Sequence, residues 1–194
     1  MDDLSTFWNF IADFGDLAVL LPGLSAICLI LCLRGKSREA LVWCASFAGC
    51  FMLTLLLKIT VGRVSFDLLG DQFVAASFPS GHTAMSAMFY LGLAALMRAS
   101  PRSVLQMMAA SLFATLTGLI ATSMVVLDWH SGMDVAAGLL LGMIFAAFPA
   151  WVGRLRTRPP QEVFALGVAA IAVVAIFHGV RLDTSMDIFR GIVL

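Results

Sequence analysis

The stretch ASFPSGHTAMSAMFYLGLAALM, Ala76 to Met97, sets Pro79, Ser80, Gly81 and His82 directly in front of an apolar run. A helix that crosses a bilayer needs about 20 mostly apolar residues. The apolar part of this stretch falls short of that, so its helix is expected to take its first turn from the Pro-Ser-Gly-His residues. Proline suits a first turn, where the N–H it lacks would have no helical partner. A spanning segment has no structural need of a histidine at its mouth, and ionisable residues at membrane depth are functional candidates by default. The question is what else the chain gathers at the depth of His82.

The chain around this stretch reads as membrane protein throughout. Of its 194 residues, 61% are hydrophobic and only 12% charged, against about a quarter charged in a typical soluble domain. Apolar segments at 17–33, 40–60, 82–97, 104–127, 133–153 and 162–180 are candidate spans. Before them, residues 3–14 set Leu4, Phe7, Trp8, Phe10, Ile11 and Phe14 against Asp3, Asn9 and Asp13, the pattern of an amphipathic helix lying in the membrane interface. The expected fold is all-α, a six-transmembrane-helix bundle with a short N-terminal interfacial helix, formed by residues 1–194 as one integral membrane domain. The acidic N-terminus has no cleavable signal-peptide pattern. Twelve acidic and twelve basic residues leave no excess positive charge for a nucleic-acid partner. Cys28, Cys32, Cys44 and Cys50 lie inside apolar runs, where a free thiol packs as a small hydrophobe.

Charge sorts the connections into two sets. Arg34, Lys36 and Arg38 follow the first span, Arg98 and Arg102 the third, and Arg154, Arg156 and Arg158 the fifth; these loops hold eight of the twelve basic residues. The other ends carry Asp13, Asp16, Asp67, Asp71 and Asp128, with Lys58 and Arg63 as their cations between the termini. Because Lys and Arg of short loops stay on the cytoplasmic side, both termini are expected outside, periplasmic in a Gram-negative cell. Trp43 and Trp151 fall near inner ends and Trp8 and Trp129 near outer ends, as aromatic belts would place them.

Everything chemically unusual then falls on the outer side. His130 and Asp134 are four apart at the start of a helix and share a face. A carboxylate on one ring nitrogen fixes the tautomer and leaves the other a better nucleophile. Ser80 offers a hydroxyl, Gly81 admits close approach to the backbone, and the N–H groups of a helix start make an anion site. Lys58 and Arg63 bring positive charge to phosphate oxygens. A nucleophilic histidine, a second histidine as acid, an anion cradle and two cations describe phosphoryl transfer with no metal and no cofactor.

These residues resemble the type 2 phosphatidic acid phosphatase (PAP2) superfamily, whose pattern is Lys-x6-Arg-Pro, then Pro-Ser-Gly-His, then Ser-Arg-x5-His-x3-Asp. Residues 79–82 give the second part complete, and Ser123, His130 and Asp134 stand at the spacing of the third. Met124 occupies the arginine place of the third part, and Ser65 and Phe66 stand for Arg and Pro of the first, after Lys58. Arg63 matches an additional arginine that many members carry. The resemblance implies that His130 forms a phosphohistidine, that Asp134 orients it and that His82 protonates the leaving oxygen. Lys58, Arg63, Ser80 and the Gly81 amide are the implied phosphate ligands. The expected substrate is a lipid phosphate or pyrophosphate, met at the outer face of the cell inner membrane. Three readings remain: a lipid phosphate phosphatase, a head-group transferase of the sphingomyelin-synthase kind (whose SGHT and HxxxDV elements also occur here), and a non-catalytic lipid-phosphate-binding subunit.

Overall fold

Segments apolar at nearly every position have no polar face, so such helices must be buried or sit in lipid. A computed structural model describes residues 2–69, 78–98, 104–154 and 160–180. Every regular element among the described residues is helical. Helix α1 spans Asp2–Asp13, α2 Leu17–Leu33, α3 Ser37–Leu69, α5 Val104–Val126, α6 Gly132–Arg154 and α7 Pro160–Phe177. Between α3 and α5 runs α4, built of Gly81–Ser86, a π turn at Ala87–Leu91, and Gly92–Arg98. Among the described residues, six helices thus follow the N-terminal one. Four stretches of them are long and apolar enough to cross a membrane: Asp3–Leu33, taken through the turn between α1 and α2, Ser37–Val61, Gln106–Val126 and Gly132–Val152. They mark the chain as a membrane protein.

The helix entered by the Pro-Ser-Gly-His stretch is the centre of the bundle. It packs on α2, α3, α5, α6 and α7, and Thr83 through Tyr90 are buried without a break. Small residues make this possible. A Cβ placed on Gly138 of α6 would stand 2.6 Å from the Ser80 carbonyl oxygen, and one on Gly92 would stand 2.9 Å from the Trp43 ring. Sheathed in protein, α4 needs no lipid-facing stripe, which is why it is the weakest span by hydropathy. The outward faces of its neighbours are apolar instead, with Leu29, Leu56, Leu112, Leu140 and Phe148 each at least half exposed.

Several expectations change in detail. Pro79 lies one residue before the N-cap Ser80, after a cis Phe78–Pro79 bond, so the helix starts at Gly81. Helix α3 has 33 residues, about 50 Å at 1.5 Å per residue, against about 30 Å of hydrocarbon. Trp43 is 1% exposed and packs edge-on against Phe89, so it belongs to the core rather than to a belt. Trp129 and Trp151 are exposed. Arg102, Arg156 and Arg158 lie outside the described residues.

At the basic end, α2 stops on Gly35, whose φ of 70° is cheap only for glycine. Its N–H donates to the Cys32 carbonyl, and that of Lys36 to the Leu31 carbonyl, the paired bonds of a Schellman stop. All four cysteines are free thiols, and the Cys28 and Cys44 sulfurs touch at 3.4 Å across the α2–α3 pair.

Candidate active site

The start of α2, the starts of α4 and α6 and the end of α5 meet at the end of the bundle opposite Gly35. Helix α5 terminates at Asp128, which takes the left-handed φ of 57° that Asp tolerates better than most residues. Its N–H donates to the Val125 carbonyl, and the N–H groups of Trp129 and His130 both donate to the Met124 carbonyl at 3.1 Å. The chain therefore doubles back at once and delivers His130 beside the next helix.

That next helix is opened by a reciprocal cap. The Ser131 hydroxyl accepts from the Asp134 N–H at 3.2 Å, and the Asp134 carboxylate accepts from the Ser131 N–H at 2.8 Å. This is a capping box with Asp where Glu or Gln is usual. The same carboxylate oxygen, Oδ2, stands 3.9 Å from His130 Nδ1. The separation is too long for a hydrogen bond, yet close enough to hold the ring as an ion pair once it is protonated. Nε2 is then the ring nitrogen turned away from Asp134.

The Pro-Ser-Gly-His segment is tied to this cap through its backbone, because the Ser80 N–H donates to the Asp134 carbonyl at 3.0 Å. Ser80 is fully buried, and its hydroxyl lies 2.9 Å from the Thr83 hydroxyl while also accepting from the Thr83 N–H at 3.4 Å. Its first duty is thus to cap α4. Gly81 is different. A Cβ there would make ordinary contacts with the Lys58 and Thr54 side chains, at 3.9 and 4.0 Å, and Gly81 itself borders an open space.

That space is a cleft between α2, α3 and α4. Lys58, Thr54, Gly81, His82 and Asp16 form its polar end, and Leu17, Phe51, Leu55 and Met85 its apolar wall. Lys58 is 5% exposed, and the opposite charge acting on it is Asp134. His82 is about one-third exposed, with the Trp129 ring edge-on to it at 6.3 Å. The expected residues Lys58, Gly81 and His82 therefore share one cleft. His130 and Asp134 stand outside its lining, joined to it through the Asp134–Ser80 bond and the charge of Lys58. Arg63, Ser65 and Phe66 lie on the last turns of α3, where their side chains are outside the described residues. Met124, at the family's arginine place, is fully buried in an apolar cluster with Ala12, Ala121 and Val135. Ser123 is also buried and donates its hydroxyl to the Ile120 carbonyl at 2.7 Å.

A family model described as the PAP2 superfamily matches residues 39–158, more than half of the chain. The chain belongs to the PAP2 superfamily. It is also 31% identical, over 169 residues covering 86% of this chain and 79% of the other, to an uncharacterized 22.5 kDa protein in the cps region of Klebsiella pneumoniae. No solved structure matches it. Membership points to phosphatase-type chemistry on lipid phosphates. The PAP2 match takes in Lys58, residues 79–82, His130 and Asp134, and begins after Asp16.

Two residues of this region escaped the sequence reading. Asp16 caps α2, with Oδ1 accepting from the Ala18 N–H at 2.8 Å, and Oδ2 stands 3.6 Å from His82 Nε2. Its signal was a Gly-Asp pair directly before an apolar run, an N-cap pattern. Tyr90 donates its hydroxyl to the Phe14 carbonyl at 2.8 Å and so holds the turn that carries Asp16. His178 reaches the Phe10 carbonyl through Nε2 at 2.9 Å and packs on Phe10 and Phe14, joining the end of α7 to α1.

Proposed function

We propose that this PAP2 protein is a lipid phosphate phosphatase working at the outer face of the inner membrane through a phosphohistidine. The observation that carries the reading is the convergence of His130–Asp134, His82, Lys58 and the cleft-lining Gly81 at one end of the bundle. Lys58 and the helix-start amides of Gly81 and His82 would hold the phosphate oxygens. His130 Nε2 attacks phosphorus, and the bond to the lipid alcohol breaks as His82 gives that oxygen its proton. Water then attacks the phosphohistidine, returns a proton to His82 and frees His130 and phosphate. Asp134 keeps the His130 ring oriented and stabilises its charge. The apolar wall of Leu17, Phe51, Leu55 and Met85 suits the start of a lipid chain. The outward placement rests on Arg34, Lys36 and Arg38 at the opposite end. At the interface, α1 would bury its exposed Leu4, Phe7 and Phe10 in the headgroup boundary.

Phosphate release by purified protein from a panel of lipid monophosphates and pyrophosphates tests this reading. His130→Ala and His82→Ala should lose it, and wild-type protein that releases no more phosphate than His130→Ala refutes it. One observation favours a second reading. With Met124 in an apolar cluster, Lys58 is the only cation placed in the cleft among the described residues, and a phosphodiester monoanion needs less neutralisation than a monoester dianion. Head-group transfer to a lipid alcohol, assayed with labelled donor in the same preparations, would replace hydrolysis in that case.

A further inference from the structure

We propose that Asp16 is the positioning residue for His82, holding the Nε2 edge of the ring so that Nδ1 serves the leaving oxygen. The proposal rests on the phosphatase reading above, but its residue lies outside the span that the PAP2 match covers. Asp16 is 3% exposed, and a buried carboxylate is costly unless it is paired. Its Oδ1 is taken by the α2 N-terminus, which also favours negative charge. Its Oδ2 faces His82 Nε2 at 3.6 Å.

The orientation of the ring agrees. A Cβ built on Gly15 would lie 3.6 Å from His82 Cδ2, so the whole Cδ2–Nε2 edge is turned towards the α1–α2 turn. Nδ1 is on the opposite edge. The turn itself is a rigid mount: the Gly15 N–H donates to the Ala12 carbonyl at 2.8 Å, and Tyr90 clamps Phe14 from α4. A Cβ on Gly15 would meet Ile120 at 2.9 Å, so α5 backs the turn as well. The groups facing His82 are Asp16 from this turn, Lys58 from α3 and the uncharged Trp129 ring from the α5–α6 connection, with Asp134 of α6 acting on Lys58. In the first half-reaction the N–P bond to His130 forms, the P–O bond breaks, and the Nδ1 proton of His82 passes to the departing alkoxide. The Nε2 proton stays on the ring, facing Asp16 Oδ2.

Asp16→Asn tests this, because Asn caps a helix as well as Asp but carries no charge. The measurement is kcat/KM for a short-chain alkyl phosphate and for p-nitrophenyl phosphate, whose leaving group needs little protonation. The alkyl-to-aryl ratio should fall about tenfold or more, a part of the 10²–10⁴-fold that a general acid supplies. Asp16→Glu, which retains the charge, should restore part of the ratio. An unchanged ratio in Asp16→Asn, whether activity is kept or lost equally on both substrates, overturns the proposal. If wild type hydrolyses neither substrate, the lipid panel decides the phosphatase reading, and ring ¹⁵N spectra of the three histidines decide the pairing. Asp16→Asn should move the His82 signals and leave those of His178 in place; unmoved His82 signals overturn the proposal.

Discussion

Replacing Gly138 by alanine probes the packing on which the site depends. Its added Cβ would stand 2.6 Å from the Ser80 carbonyl oxygen, 3.2 Å from Thr83 Cβ and 3.3 Å from the Ala84 nitrogen, where ordinary contact begins at 3.4 Å. Two of the three obstacles are backbone, so no side chain can swing aside and α6 must back away from α4 by roughly 0.8 Å. Overpacking of this kind costs about 1–3 kcal/mol. The shift acts one helical turn from the Ser80–Asp134 bond, which joins the start of α4 to the residue paired with His130. Misplacement of reacting groups by about 1 Å can cost 10²-fold in rate, so kcat/KM on a lipid phosphate should fall by about 10- to 100-fold. Thermal unfolding in detergent, followed by Trp fluorescence, should show a lower midpoint. Gly118→Ala is the matched control, because a Cβ there meets nothing within 4 Å, and it should leave both measurements near wild type. Wild-type midpoint and rate in Gly138→Ala would refute the close approach of α6 to α4.

Tyr90→Phe removes the hydroxyl that clamps Phe14 and should lower stability by about 0.5–1.5 kcal/mol, read as denaturant midpoint, with activity lost on alkyl more than on aryl phosphates. Ser131→Ala removes half of the cap that fixes Asp134 and should cost about 1 kcal/mol together with a lower kcat; an unchanged kcat would free Asp134 from dependence on that cap. In a background lacking the native cysteines, Met133→Cys should react with an impermeant thiol reagent added to intact cells while Ser37→Cys should not, and the reverse pattern would invert the topology. Phosphate release should survive EDTA, since cations and amides of the chain supply the charge; strict dependence on added Mg²⁺ would refute that assignment.

The spans were legible because hydropathy alone defines them: the segments read as 17–33 and 133–153 appear as Leu17–Leu33 and Gly132–Arg154. What hydropathy could not say is which apolar face meets lipid and which meets protein, since both are apolar. Trp43 shows the limit, because a tryptophan near a helix end looks the same in a belt as against Gly92 and Phe89. The individual elements of the site were equally legible, since helix-start patterns and the spacing of His130 and Asp134 are local. Asp16 and Tyr90 were not, because each acts on a residue more than sixty positions away, and nothing in the intervening chain signals the contact. Met124 was visible as a departure from the family pattern, but only its burial beside Ala12 shows that an apolar cluster occupies the place.

The sheathing of α4 also bears on how the protein is made. A helix that presents Ser80, Thr83 and Ser86 to its neighbours has little to offer a lipid phase by itself. During synthesis its crossing must be imposed by α3 and α5 on either side, and its residence completed when α6 closes over it. Because α6 brings Asp134, whose carbonyl receives the Ser80 N–H, a nascent chain released before that helix emerges has the residues of the α2–α4 cleft but not the tie between Ser80 and Asp134. On the proposed reading, the arrangement around His82 is therefore completed only with the fifth span, as a late event of assembly.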